Sequence, residues 1–222
     1  MTADSTPSKD TLLEALWDRG LILMGDRVRQ EYALQTPFFV DLRRKLYDDL
    51  DLLDALGLAI VDKIASIVEP TEAAQQVIGI PDTATPIALA AASASRRRAL
   101  RLTYGQLRKK PARYPGGRSG TSAYMGVVDP SREITLIDDV MASGRTKLQS
   151  IEQLRDVGLD VARILVVVDR EQGGAAILEQ RGCPVYSLYK APKIIRYFLN
   201  TGRVTPQEAS AAIEFLQRKQ YS

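Results

Sequence analysis

The chain has 222 residues, of which 45% are hydrophobic and 26% charged, as is usual for a folded domain with a sizeable core. Its single cysteine excludes an internal disulfide, and the absence of histidine excludes a Ser-His-Asp triad and histidine-ligated zinc. Residues 1–10 are polar and include acids, and no apolar run is long enough to span a membrane. We therefore expect a cytoplasmic protein with no membrane partner.

The net charge of +3 conceals one strongly basic segment, because no acidic residue lies between Asp82 and Asp129. The rest of the chain is therefore net acidic. Such a concentration of positive charge predicts an anionic partner, and both nucleic acid and a polyphosphate substrate fit it. A solvated charged loop is the alternative that needs no ligand. The cations of the segment are Arg96, Arg97, Arg98, Arg101, Arg108, Lys109, Lys110, Arg113 and Arg118.

Two helices and a short strand are predicted in the first third of the chain. Apolar residues at helical spacing predict a helix around Leu12–Trp17 that ends before Gly20, and another from about Leu50 to Val68. Phe38–Val40 has the composition of a short strand. Since these elements lie outside the regular alternation that follows, we expect residues 1–70 to form a small N-terminal hood.

Strands and helices alternate in the next part of the chain, which predicts an α/β fold with a parallel central sheet flanked by helices. We expect residues 71–190 to form this core. A segment rich in Gly, Pro, Lys and Arg, Gly105–Gly120, is expected to be a long mobile loop. The predicted strands are Gln76–Ile80, Leu100–Tyr104, Glu133–Ile137, Val161–Val168 and Pro184–Leu188, and the predicted helices are 85–95, 146–157 and 175–181.

The predicted helix starts carry recognisable caps. Thr85 followed by Pro86 has the form of an N-cap and a first helical residue. Thr205 and Glu208 form a capping box at the start of the final helix. Residues 191–222 are therefore expected to form helices that pack on the core or on the hood.

Two adjacent aspartates at the end of an apolar strand, Asp138 and Asp139, give the strongest functional signal. Ligands of open parallel sheets bind beyond the carboxyl ends of the strands, and a helix N-terminus favours an anion. The loop therefore suits a phosphate and the two acids suit a vicinal diol, which together describe a ribose 5-phosphate. A buried strand before a capped helix is the alternative, but it leaves the paired acids unexplained. The loop residues are Ala142, Ser143, Gly144, Arg145 and Thr146.

This segment resembles the phosphoribosyl-pyrophosphate motif of type I phosphoribosyltransferases. The resemblance implies that Asp138 and Asp139 contact the ribose hydroxyls and that the loop binds the 5′-phosphate. Three further segments resemble the orotate branch of that family. They are Thr36–Arg43, similar to its N-terminal strand; Gly79–Ala88, similar to its pyrophosphate-side loop with Thr83; and Val168–Gly174, where the resemblance implies that Arg170 grips the orotate carboxylate.

The basic segment is similar to the mobile loop of the family, Arg-Lys-x-x-Lys-x-His-Gly, with two departures. Arg108 and Lys109 match, and the resemblance implies that they act in catalysis together with the paired acids. Ala112 stands at the second lysine position and Tyr114 at the histidine position. The lost lysine is the one that meets the pyrophosphate in the family, so we expect neighbouring cations to replace it.

Lys110 and Arg113 are the cations nearest to that position, and Tyr114 is retained as a substrate-binding residue. A second family lysine, which approaches the base, is also missing before Pro37, and Arg29 is the nearest substitute. The resemblance further implies Mg²⁺ as cofactor, bound mainly through the pyrophosphate and ribose of the substrate, and a homodimer.

The function implied is transfer of the 5-phosphoribosyl group from phosphoribosyl pyrophosphate to orotate, giving orotidine 5′-phosphate and pyrophosphate. A phosphoribosyltransferase for another base is one alternative, although Arg170 then lacks a carboxylate partner. A non-catalytic regulator that senses phosphoribosyl pyrophosphate or binds nucleic acid is the other, and Ala112 supports it. We expect no nucleic-acid partner, because there is no DNA-reading helix motif and few aromatic residues accompany the basic segment.

Overall fold

The computed structural model describes residues 6–68, 74–113, 121–218 and 220–221, with only the backbone for 110–113 and 121–122. Two single-turn 3-10 helices, Leu46–Asp48 and Ser95–Arg97, accompany the main elements. None of the helices in the described ranges has the length and apolar composition of a membrane span. The main elements are α1 (Lys9–Asp18), β1 (Ile22–Met24), α2 (Asp26–Tyr32), β2 (Phe38–Val40), α3 (Leu50–Ala65), β3 (Gln75–Gly79), α4 (Ala84–Ala94), β4 (Leu102–Arg113), β5 (Thr121–Met125), β6 (Glu133–Met141), α5 (Arg145–Arg155), β7 (Val161–Asp169), α6 (Gly174–Glu179), β8 (Val185–Lys190), α7 (Ala191–Asn200) and α8 (Pro206–Arg218).

Six strands form the central sheet in the order β5-β4-β3-β6-β7-β8. The five strands β4, β3, β6, β7 and β8 are parallel to one another. β5 pairs antiparallel with β4 at one edge of the sheet. The predicted parallel central sheet flanked by helices is therefore confirmed. β6 lies between β3 and β7 in the sheet, and its apolar residues are buried on both faces because helices pack against both sides of the sheet.

Helices cover both faces of the sheet and divide the core into two clusters. Val77 and Ile78, adjacent in β3, belong to different clusters because successive strand side chains point to opposite faces. The larger cluster includes apolar residues of α1, α3, α4 and α7, and the smaller one includes residues of α5 and α6. Each strand end is thus fixed from two sides, which makes the edge of the sheet a rigid support for a site.

The predicted N-terminal hood contains a small sheet of its own, in which β1 and β2 pair antiparallel with Leu23 opposite Phe39. Trp17 of α1 packs on Phe198 of α7, with ring centroids 4.4 Å apart. The capping box at the start of α8 is confirmed, since the Thr205 N–H donates to Glu208 Oε2 at 2.9 Å and the Glu208 N–H donates to Thr205 Oγ1 at 3.2 Å. The last helices thus pack beside the first one.

The prediction of a loop is wrong for Gly105 to Arg113, because β4 continues to Arg113 and pairs with β5. The pairing is interrupted by a register shift between Leu107 and Ala112. Pro111 lies in this interval, where a residue without an N–H is tolerated because the ladder is already irregular. Gly105 and Pro111 therefore lie in an irregular strand, and residues 114–120, which hold the other Gly and Pro residues of the segment, lie outside the described ranges.

The predicted cap of α4 is also wrong. The helix begins at Ala84 with Thr83 as N-cap, so Thr85 and Pro86 lie within its first turn. Pro86 fits there because the first N–H groups of a helix have no intrahelical partner, and a proline loses no hydrogen bond.

Candidate functional site

A cleft with a volume of about 580 Å³ opens where β3 and β6 end. These strands are adjacent and parallel, so their carboxyl ends lie at the same edge of the sheet, where ligands of such sheets bind. The loop after β3, the segment after β2, β4 and the start of α5 complete the walls. The lining residues are Arg43, Tyr47, Ile80, Pro81, Asp82, Thr83, Pro86, Lys109, Asp138, Asp139, Val140, Thr146 and Lys147.

The predicted pair of acids lies in this cleft, within β6 itself, which continues past Ile137 to Met141. The Asp138 side chain is 7% exposed, and its Oδ2 lies 2.6 Å from the Nζ of Lys147, whose side chain is 5% exposed. Asp138 Oδ1 also accepts a hydrogen bond of 2.9 Å from the Asp139 N–H. These contacts hold the Asp138 carboxylate in place, because moving away from Lys147 would leave a buried charge uncompensated.

The Asp139 carboxylate has a different environment, because Lys147 pairs with Asp138 and not with Asp139. Asp139 Oδ1 accepts a hydrogen bond of 2.7 Å from the Val140 N–H. Burial, followed by the charge of Asp138, raises the pKa of Asp139 to about 7, and Lys147 opposes this shift. A carboxylate in this state gains from ligand hydroxyls or a cation that reach it in the cleft.

The loop between β6 and α5 has the geometry of an anion site. Gly144 is the N-cap of α5 with φ +76°, a left-handed conformation that glycine adopts without a Cβ clash. The helix begins at Arg145, and no side chain caps its first N–H groups, while Thr146 lines the cleft. These groups favour an anion through hydrogen bonds and the helix dipole. Ala142 and Ser143 are partly buried in the loop, and Arg145 is exposed.

The backbone of Arg170 lies beside this loop, but its guanidinium is not among the groups that line the cleft. The Arg170 N–H donates to the Met141 carbonyl at 3.0 Å, and the Gly174 N–H donates to the Ala142 carbonyl at 3.0 Å. The guanidinium carbon lies 5.4 Å from the centroid of the Phe215 ring in α8. The structure therefore brings the main chain of the predicted carboxylate clamp to the loop between β6 and α5, and its charged group to α8.

Thr83, predicted on the pyrophosphate side, is buried and lines the cleft. Its carbonyl accepts a hydrogen bond of 2.8 Å from the Tyr47 hydroxyl. Lys109 reaches the cleft as well, where its Nζ pairs with the Asp82 carboxylate. Both side chains of that pair are largely exposed, so the pair contributes little to stability and Lys109 can be drawn to another anion.

Of the other predicted loop residues, Arg108 is the one whose side chain the structure describes. Arg108 is absent from the lining of the cleft, and the Arg108 Nε donates to the Met125 sulfur at 2.9 Å. The side chains of Lys110 and Arg113 and the whole of Tyr114 lie outside the described part of the chain.

The sequence interpretation assigned no site role to three residues that line the cleft, Arg43, Tyr47 and Lys147. Arg43 is held by Asp41, which is 2% exposed and accepts from the Arg43 Nε and backbone N–H, both at 2.9 Å. The bond to Asp41 raises the pKa of Arg43. Burial, followed by the charge of Asp139, raises the pKa of Tyr47 to about 12. The conspicuous Asp-Leu-Arg run after β2 was the signal that could have indicated Arg43.

Arg29, expected as the substitute for the missing family lysine near the base, pairs with Asp26 on the exposed side of α2. It does not line the cleft. Arg43 is the cation that the segment after β2 contributes to the cleft instead.

Part of the basic segment serves the fold. Arg97 Nη2 lies 2.6 Å from Asp54 Oδ1, and Arg98 Nε lies 2.7 Å from Asp62 Oδ1. Both acids belong to α3, so these pairs connect the end of α4 to its neighbouring helix. The net positive charge of this segment is therefore only partly directed to a ligand.

Comparison with known proteins finds no matching family profile. Individual curated proteins, however, are similar to this chain over almost their whole length. The orotate phosphoribosyltransferase of Chlamydia caviae is 25% identical over 223 residues, which cover 98% of each chain. That of Sulfurisphaera tokodaii is 28% identical over 204 residues, which cover 92% of this chain and 96% of the relative.

Among solved structures, orotate phosphoribosyltransferase from Francisella tularensis is similar to this chain with a TM-score of 0.71 and 16% sequence identity. The alignment covers 95% of this chain and 99% of that one. At this identity the likeness establishes the fold, including the mostly parallel sheet on which the cleft is built.

Proposed function

We propose that this chain, a member of the orotate phosphoribosyltransferase family, transfers the 5-phosphoribosyl group of phosphoribosyl pyrophosphate to orotate. The products are orotidine 5′-phosphate and pyrophosphate. Relatives of that name match the chain from end to end, and a solved structure of that name has the same fold. The proposal rests on one observation: the pair of acids and the start of α5 line the same cleft.

The paired acids and the loop suit the two ends of a ribose 5-phosphate. In the proposal, the 5′-phosphate accepts hydrogen bonds from the backbone N–H groups after Gly144 and from the hydroxyl of Thr146. The ribose hydroxyls donate to the carboxylates of Asp138 and Asp139. Lys147 fixes Asp138 in place, which leaves Asp139 as the acid with more to gain from the substrate.

Charge development on the leaving pyrophosphate is the main electrostatic problem of the reaction. Breaking the bond at C1 of the ribose passes through an oxocarbenium-like state, and the electrons of that bond leave with pyrophosphate. Lys109 and Arg43 line the same cleft and can stabilise this charge. The attacking nitrogen of orotate enters deprotonated, so the absence of histidine is no obstacle.

The donor set at the cleft fits a magnesium ion that arrives with the substrate. Asp138 and Asp139 are hard oxygen donors, and no group of three or more acidic or cysteine side chains that could hold a metal occurs within the described ranges. Mg²⁺ usually takes one or two carboxylates and completes its shell with substrate phosphates and water. When bound, the ion would neutralise part of the negative charge of the pyrophosphate.

Two further properties are proposed, and the first comes from the family. In that family the mobile loop reaches the site of a neighbouring subunit, and we therefore propose a homodimer. A cytoplasmic location also stays a prediction.

Pyrophosphate release with a panel of bases tests the proposal. Purified protein is incubated with phosphoribosyl pyrophosphate, Mg²⁺ and either orotate, uracil, adenine or hypoxanthine. The proposal predicts release with orotate and very little with the bases that lack a carboxylate. Release with another base and none with orotate would overturn the substrate assignment, and no release with any base would overturn the enzymatic function.

A further inference from the structure

The Arg170 guanidinium is enclosed beside α8 with part of its hydrogen-bonding capacity unused. Its Nε and Nη2 atoms are buried and find no hydrogen-bond partner among the described residues. The face of the Phe215 ring lies against the guanidinium, 5.4 Å from its carbon to the ring centroid. A buried cation with unsatisfied donors is costly unless an anion completes it, so this group would gain from an anionic ligand that reaches it.

The main chain that carries Arg170 is fixed from two sides. On one side, its N–H donates to the Met141 carbonyl at 3.0 Å, at the end of β6. On the other, the Gln172 carbonyl accepts from the Tyr221 N–H at 2.8 Å, and the Gln172 Nε2 donates to the Leu216 carbonyl at 3.4 Å. Since the backbone is held, the remaining freedom of Arg170 is that of its side-chain torsions.

We propose that Phe215 is the positioning residue for Arg170: its ring holds the guanidinium on the α8 side of the loop after β6, and the carboxylate of the base is recognised there, beside the cleft that the paired acids line. The inference rests on the proposed function, since it assumes that a carboxylate is the group recognised. An aromatic face attracts a guanidinium without using its N–H donors, which stay available for a bidentate partner. The last helix thereby becomes part of base recognition.

A purely structural role for Phe215 makes a different prediction. The ring also packs against the larger hydrophobic cluster, as does Ile213 two residues earlier in α8. Truncation of a side chain that only stabilises the helix lowers thermal stability and leaves the preference between the two substrates unchanged. Truncation of a positioning residue changes the Michaelis constant of one substrate.

The test measures steady-state Michaelis constants for orotate and for phosphoribosyl pyrophosphate in the wild type, Phe215→Ala, Phe215→Tyr and the matched control Ile213→Ala. We expect Phe215→Ala to raise the orotate constant on the order of tenfold, from the loss of a desolvated cation–π contact, with the other constant unchanged within about twofold. Phe215→Tyr retains the ring and should restore the wild-type value. Ile213→Ala should move neither constant.

A second arm repeats Phe215→Ala in an Arg170→Ala background, where the inference predicts no additional rise in the orotate constant. Equal orotate constants for wild type and Phe215→Ala would overturn the inference while leaving the proposed function intact. A rise of both constants together in Phe215→Ala, or a further rise in the double variant, would also overturn it. Failure of the wild type to consume orotate would overturn the proposed function, and the inference with it.

Discussion

Lys147 Nζ lies 2.6 Å from Asp138 Oδ2, and both side chains are almost wholly buried at the floor of the cleft. The contact joins the first turn of α5 to the end of β6, so it fixes the helix that follows the loop relative to the acids. It also leaves Asp139 as the neighbouring carboxylate without a lysine of its own. One ion pair therefore gives two adjacent acids different environments, because Asp138 has a buried counter-charge and Asp139 does not.

Lys147→Met removes that counter-charge and leaves two adjacent carboxylates in a buried site. We expect a loss of about 3–5 kcal/mol in the free energy of unfolding, measured by urea denaturation at pH 8. The double variant Asp138→Asn with Lys147→Met should recover a large part of this loss, because neither buried ion remains unpaired. An unchanged urea midpoint for Lys147→Met would show that the pair does not hold the cleft together.

Asp139→Asn should stabilise the free protein at neutral pH while it weakens binding of phosphoribosyl pyrophosphate. The folded-state pKa of Asp139 is raised to about 7, so folding favours the protonated acid. That stability is fully present below the unfolded pKa of about 4 and is lost as pH rises through 7. Asparagine cannot ionise, and the variant should gain about 2–4 kcal/mol over the wild type between pH 4 and pH 8.

Urea denaturation of both proteins across this pH range checks the prediction, with titration of phosphoribosyl pyrophosphate in parallel. A stability difference that stays constant with pH would contradict the raised pKa. Unaltered binding by Asp139→Asn would show that the acid does not contact the substrate.

Lys109→Ala should reduce kcat on the order of a hundredfold, because the lysine lines the cleft and, in the proposed reaction, stabilises charge that develops on pyrophosphate. The orotate Michaelis constant should change little. Arg96→Ala is the matched control, since Arg96 is an exposed cation of the same basic segment outside the cleft. Equal effects of the two substitutions would reduce the role of Lys109 to general electrostatic attraction.

Gly174→Ala should displace the backbone of the loop between β6 and α5, against which Gly174 packs. A Cβ at this position would lie 2.2 Å from the Ala142 carbonyl oxygen, so the loop must shift. We expect the Michaelis constant of phosphoribosyl pyrophosphate to rise tenfold to a hundredfold, as an order of magnitude. Gly158→Ala is the control, because it introduces backbone strain at φ +82° with open space around the new Cβ. If Gly174→Ala has the wild-type Michaelis constant for phosphoribosyl pyrophosphate, this packing does not affect substrate binding.

The strand, loop and helix that form this side of the cleft were predictable because each has its own local signal. The apolar run of β6, the paired acids and the glycine at the start of α5 follow one another along the chain. The alternation of strands and helices then placed them at the edge of a parallel sheet. Local pattern and tertiary position agree here, so the sequence interpretation and the structure agree as well.

Features that depend on tertiary pairing were missed. Nothing local indicates that Lys147 turns inwards, since a lysine in a first helical turn is usually solvated. β4 extends to Arg113 because β5 pairs with it, whereas its Gly and Pro content favoured a loop. The direction of the Arg170 guanidinium depends on α8, which is distant in sequence.

The measurement that tests the central claim most directly is the decrease of orotate absorbance with purified protein, phosphoribosyl pyrophosphate and Mg²⁺, with pyrophosphate assayed in the same samples. We predict that orotate disappears, that one pyrophosphate is released for each orotate consumed, and that orotidine 5′-phosphate is the product. This result would also show that neighbouring cations compensate for Ala112. Intact binding of phosphoribosyl pyrophosphate with no loss of orotate would contradict the account.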